Sequence, residues 1–190
     1  MATAQTRVKI VNGVNVEDLF KTIGAIKATP AIAKFKFRIY NQWEGASQNR
    51  STVGQFYGAG QQRSRLMPFV LKADEPGVLL GRDEAANPVE HLLHALAACL
   101  TTSMVYHAAA RGIQIEEAES SFEGDIDLQG FLGLAKNVRS GCQEIRVNFK
   151  IKADVADEQL QEIVALGTGY SPVFDSLTRG VPVSVSAARF

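Results

Sequence analysis

The side chains most able to do chemistry in this chain are two thiols, Cys99 and Cys142. Two cysteines in a cytosolic chain pose a redox question rather than define a disulfide framework. Cys99 lies deep in an apolar run, where a thiol is either a small packed hydrophobe or a nucleophile. It lies about three turns from the start of its predicted helix, too far in to gain from the helix dipole, so a reactive thiolate there needs a nearby cation. Cys142 stands in a loop, and nothing in its neighbourhood suggests activation. His91 and His94 fall three apart and broadly on the side of Cys99. A zinc site wants three or four ligands, and no CxxC, HExxH or carboxylate cluster supplies the rest, so no metal or other cofactor is expected. His107 and Tyr106 read as packing or interface residues. GAGQQR fits neither a dinucleotide nor a P-loop pattern, and there is no serine elbow.

These side chains need positioning elements. The run from Pro88 to Arg111 predicts a long helix. Asn87 stands at its N-cap, Pro88 at its first position, Glu90 three residues after the cap and Gly112 at its stop. Its body is apolar or small nearly all round, so burial on most sides is expected. Residues 14–28 predict an amphipathic helix capped by Asn15 and ended by Pro30. In 34–41, Phe35, Phe37 and Ile39 alternate with Lys34, Lys36 and Arg38, a strand with one buried face. Strands follow near 51–57 and 66–73, with 58–65 as a loop between them and an acidic turn from Asp74 to Gly77. Beyond the long helix, 116–128 and 145–153 alternate as strands. Residues 157–169 predict a helix with Leu160, Ile163, Val164 and Leu166 inward. SPVFDSLTRG reads as a short turn into a last strand at 181–187. The order specifies an α+β fold with helices on largely antiparallel sheet.

The chain has 190 residues, 46% apolar and 21% charged, with 20 basic and 20 acidic side chains. That balance argues against nucleic acid or an anionic membrane as partner. No uninterrupted apolar run reaches the ~18 residues of a spanning segment. The N-terminus lacks the pattern of a secretory signal, so a cytoplasmic location is expected. The organisation expected is an N-terminal helical extension over 1–33 and one domain over 34–190.

The run NPVEHLLHALAACLTTSMVYHAAARGI resembles the first-cysteine helix of the OsmC/Ohr family. WEG at 43–45 resembles that family's first hairpin, and SPVFDSLTRGVPVSVSA its last helix and strand. The resemblance covers about residues 34–187. It implies antiparallel sheets packed on a long central helix, in an intertwined homodimer with sites at the subunit interface. It also implies thiol-dependent reduction of organic hydroperoxides, with Cys99 attacking the peroxide. In that mechanism an arginine activates the thiol, a carboxylate orients the arginine, and a second cysteine resolves the sulfenic acid. Ser171 stands where the resolving cysteine is usual, which implies an external thiol reductant, or Cys142. The acid usually follows the proline directly. Here Val89 does, and Glu90 is one later, where it is either the family acid or the capping partner of Asn87. Arg65 is the first candidate for the arginine, then Arg50, with Arg63 also in reach of the pattern. The alternative is a non-enzymatic protein of the same fold that binds an apolar small molecule or senses redox state.

Overall fold

The computed structural model describes residues 8–189. In chain order the elements are β1 (Ile10–Val11), β2 (Val14–Asn15), α1 (Val16–Ala28), β3 (Lys36–Phe37), β4 (Tyr40–Gly45), β5 (Gln48–Gly58), β6 (Gln61–Ala73), α2 (Pro88–Ala110), β7 (Glu117–Asp125), α3 (Leu128–Phe131), β8 (Glu144–Lys152), α4 (Asp157–Tyr170) and α5 (Pro172–Arg179). They form two compact units. One holds the described residues up to Lys9 together with Asn15–Leu92; the other holds Ile10–Val14 and the described residues from Leu93 onward.

In the first unit α1 starts as its sequence dictates. Asn15 Oδ1 accepts a hydrogen bond from the Asp18 backbone at 3.2 Å, and Pro30 opens a 3-10 turn over Pro30–Ala33. The sheet is antiparallel. β5 pairs with β3 and β4 on one edge and with β6 on the other. Two expectations need correction. The stretch 58–65 is not a loop: Ala59 and Gly60, with φ of 52° and 78°, make a two-residue turn, and β6 begins at once at Gln61. Positive φ at both central residues matches the twist of a hairpin, so the turn needs no more chain than that. The expected buried face of 34–41 is also absent. Phe35, Phe37 and Ile39 are all exposed, because only Lys36 and Phe37 pair with the sheet, and Phe35 against Gly58 and Phe37 against the Phe56 ring are covered only in part. β6 carries a wide bulge. Val53 pairs with Phe69 but Gln55 with Ser64, so residues 65–68 swell opposite Gly54. Bulges of this kind re-aim side chains.

In the second unit α2 runs to Gly112, whose φ of 75° lets its N–H reach Ala109 O and that of Ile113 reach Ala108 O, each at 3.0 Å. This is the left-handed stop that glycine accommodates. The burial on most sides expected of the helix is not found within the unit. Its buried side chains are Leu96, Leu100, Met104, Ala108 and Ala109, a single stripe. Within the unit α4 crosses on one side only, at Gly167, where an added Cβ would lie 3.2 Å from Leu100 O and 3.6 Å from Met104 Cβ. Met104, Ala108, Ile113, Ile115 and Ile163 form the core, with Phe149 and Ile151 of β8 against it. By length and composition α2 could cross a membrane, but its buried stripe also fits the core helix of a globular fold. β7 and β8 pair as their alternation requires, Phe122 opposite Val147 and Ala118 opposite Ile151. The predicted turn SPVFDSLTRG is instead the helix α5, because Ser171 caps it and Pro172 is preorganised for its first turn. The strand expected at 181–187 does not form. The segment has no ladder partner among the described residues, and Val181, Val183 and Val185 are exposed.

Candidate thiol site

Cys99 sits one position before the buried Leu100 on α2, which puts it at the rim of the packed stripe, half-buried and with a free thiol. One turn further on, Ser103 Oγ donates to the Tyr170 carbonyl at 3.3 Å, at the end of α4. The C-terminus of α4 therefore lies against the turn of α2 that follows Cys99. Ser171 comes next and is only 1% exposed. Its Oγ accepts from Phe174 N at 3.1 Å, so the hydroxyl in the place of a resolving thiol is the cap of α5.

Cys142 is also free and half-buried. Its Sγ lies 3.6 Å from where a Cβ on Gly124 would be, and Leu93 Cδ2 lies 3.4 Å from the same point. Cys142 thus flanks the Leu93 turn of α2. Leu93 precedes Cys99 by six residues, about 9 Å of helix rise. A disulfide needs Cα atoms within roughly 7 Å, and the two thiols are both free, Cys142 beside the Leu93 turn and Cys99 on a later turn of α2. His107 stacks on Tyr170 with ring centroids 3.9 Å apart, a packing role as expected. Burial, then the charge of Arg111, lowers its pKa below the ordinary value.

The other candidates lie in the first unit. Glu90 and Asn87 form a reciprocal capping box: Asn87 N donates to Glu90 Oε2 at 2.7 Å, and Glu90 N to Asn87 Oδ1 at 2.8 Å. Arg50 is engaged by Glu44 at 2.8 Å and by Gln42 at 3.2 Å. Arg63 donates to the Gly58 carbonyl at 3.3 Å. Arg65, in the β6 bulge, is held differently. Its guanidinium lies 5.2 Å from the ring centroids of both Phe56 and Phe69, and its Nη1 is buried with no hydrogen-bond partner among the described residues. Stacking on aromatic faces holds a guanidinium in place without neutralising it. His91 Nε2 meets the Lys72 carbonyl at 2.8 Å, and His94 is exposed. Among the described residues no three His, Cys, Asp or Glu side chains are grouped to hold a metal ion.

Sequence reasoning passed over Asp74, which had read only as the start of an acidic turn. It is 1% exposed. Ser47 Oγ donates to it at 2.6 Å, Gln48 Nε2 at 3.3 Å, and the backbone N–H groups of Glu75, Arg82 and Glu84 at 2.8, 3.2 and 3.3 Å. The Ser47 hydrogen bond, helped by those N–H groups and opposed by burial, lowers its pKa to about 2. Asp74 thereby ties down both ends of the loop that leads to Asn87 and the start of α2. No residue type or spacing announces this role, because the donors come from three separate stretches of chain.

The family model for OsmC-like proteins matches residues 81–186, more than half of the chain and including Cys99, Glu90 and Ser171. The chain belongs to the OsmC-like family. Among solved structures, an OsmC-like protein from Mycoplasma pneumoniae is similar at 20% identity, covering 77% of this chain and 89% of that one with a TM-score of 0.56. A putative osmotic stress induced and detoxification response protein from Psychrobacter arcticus matches at 15% identity over 75% and 88%, with a TM-score of 0.55. An organic hydroperoxide resistance protein OsmC from Legionella pneumophila matches at 15% identity over 75% and 90%, with a TM-score of 0.52. These likenesses define the fold. No curated protein matches the chain.

Proposed function

We infer that this protein is a cytoplasmic, homodimeric thiol peroxidase that reduces organic hydroperoxides with Cys99. The Cys99 thiolate attacks the outer peroxide oxygen, and the O–O bond breaks. The sulfur is oxidised to a sulfenic acid, and the alkoxide leaves and takes a proton to become the alcohol. An external thiol then attacks the sulfenic acid and releases water, and a second thiol frees Cys99 as that reductant becomes a disulfide. The observation that carries the reading is Arg65. It is the one arginine of the three candidates whose guanidinium has a buried N–H with no partner among the described residues, and an uncompensated cation is what lowers a thiol pKa and steadies a departing alkoxide. Arg50 is already neutralised by Glu44, and one Glu90 oxygen is committed to the helix cap; both remain lesser candidates for the activating pair.

The dimer is supported by the first unit's sheet, which exposes Phe37, Trp43, Leu66, Met67 and Phe69. An apolar display of this extent marks a surface that meets a partner. Peroxide consumption is to be followed for wild type, Cys99→Ser and Arg65→Gln, using cumene hydroperoxide with a monothiol and with a dithiol. Turnover should vanish in the first variant and fall at least tenfold in the second; background turnover in all three sinks the enzyme reading. The buried cap role of Ser171 favours a second reading, a non-enzymatic OsmC-fold binder of apolar molecules or a redox sensor. Alkylation of Cys99 at neutral pH no faster than that of a free thiol would select it.

A further inference from the structure

The alternation Lys34, Phe35, Lys36, Phe37, Arg38 earns no buried face, but it builds something else. Lys34, Phe35, Lys36, Arg38 and Tyr57 line a groove of about 320 Å³ in the first unit. β3 pairs Lys36 with Tyr57, which brings a cation and an aromatic ring to the same position on the sheet. The Phe35 ring lies on Gly58, where an added Cβ would come within 2.3 Å of its Cε1, so only glycine permits that seat. Arg38 Nη1 donates to Gln62 Oε1 at 3.3 Å, which anchors the guanidinium without neutralising it.

None of the three cations meets a carboxylate within 4.0 Å among the described residues, whereas Lys21, Arg50, Arg146, Lys152 and Arg179 all do. Lys34, Lys36 and Arg38 are exposed, and three cations without carboxylate partners beside two aromatic rings favour an anionic ligand over a neutral or cationic one. We propose that this groove binds a small anion built on a planar ring, of the nucleoside mono- or diphosphate class. The ammonium and guanidinium groups would take the phosphates, and Tyr57 or Phe35 would stack on the base. The volume lies at the small end for ligand sites, which suits one nucleotide rather than a dinucleotide. With formal net charge zero over the chain, no long-range field favours a polyanionic nucleic acid.

Cys99 is not among the lining residues, so the test is independent of peroxide turnover. Titration calorimetry on the full chain would compare ADP, adenosine, pyrophosphate and a single-stranded oligonucleotide. ADP should bind saturably, with adenosine and pyrophosphate each at least tenfold weaker. Lys36→Glu should weaken ADP at least tenfold, and Lys34→Glu should act in the same direction. Tyr57→Leu should weaken ADP while leaving pyrophosphate unchanged. Both lysines are exposed, and an unshifted urea midpoint confirms that the charge variants remain folded. No saturable ADP binding to wild type overturns the proposal. So does pyrophosphate binding as tightly as ADP, unchanged ADP affinity in Lys36→Glu, or an oligonucleotide that binds tenfold tighter than ADP.

Discussion

Replacing Ser171 by alanine removes a hydroxyl that caps α5 from a position with 1% exposure. Losing an N-cap serine costs about 1 kcal/mol in typical hosts. Water has almost no access to Ser171, so the Phe174 N–H loses its partner with little replacement, and an unsatisfied buried donor adds to the penalty. The expected destabilisation is therefore about 2 kcal/mol. For a chain of this size that corresponds to a melting temperature lower by roughly 4–8 °C. Ser176→Ala is the control. Its exposed Oγ only donates back to the Pro172 carbonyl at 2.7 Å, and the change should stay within about 0.5 kcal/mol of wild type. Urea unfolding of the three proteins, followed by circular dichroism, measures both. A Ser171→Ala stability indistinguishable from that of Ser176→Ala would refute the assignment of this hydroxyl as a buried cap. Ser171→Cys extends the experiment to chemistry. Because Tyr170 already touches the Ser103 turn of α2, the introduced thiol should form a peroxide-induced bridge with Cys99. Peptide mapping without such a bridge would show that the C-terminus of α4 cannot approach the thiol.

Asp74→Asn tests the loop that leads to α2. Its carboxyl pKa is depressed to about 2 in the folded state, so its contribution to stability is complete above the unfolded value near 4, and disappears as pH falls through 2. Wild type and variant should therefore differ most in stability at neutral pH and converge toward pH 2, as read by urea midpoints across that range. Gly167→Val tests the crossing of α4 over α2. A Cβ there already falls 3.2 Å from Leu100 O, and the added methyl groups should cost about 1–3 kcal/mol through overpacking. An unchanged urea midpoint would show that the two helices can simply move apart.

The boundaries of α1 and α2 were legible because their signals are local. Asn15, the Asn87–Glu90 box and Gly112 each act within a few residues, and each is found where the pattern places it. The pairing of β7 with β8 was legible for a different reason. Two alternating runs near in sequence found one another, Phe122 against Val147. The same alternation at Val181, Val183 and Val185 misled, because it specifies a face and not a neighbour, and no strand lies beside it among the described residues. Serine followed by proline in YSPVFD was a helix-start signal that could have revealed α5. The aromatic clamp on Arg65 was beyond reach. Phe56 and Phe69 come together only through a bulge in the β5–β6 ladder, and spacing along the chain does not encode bulges.

Asn12, in the turn between β1 and β2, sets a timetable for synthesis. Its side chain donates to Ile113 O at 2.9 Å and accepts from Ile115 N at 2.7 Å, partners 101 and 103 residues further along. At roughly 5–20 residues per second a ribosome needs on the order of 5–20 s to deliver them. Closing a loop of that length carries about 4 kcal/mol of entropy in its length-dependent part. β1 and β2 can pair with each other as they emerge, but the Asn12 side chain that joins their turn to the rest of the unit finds its two partners only after the helix that carries Cys99 has been made.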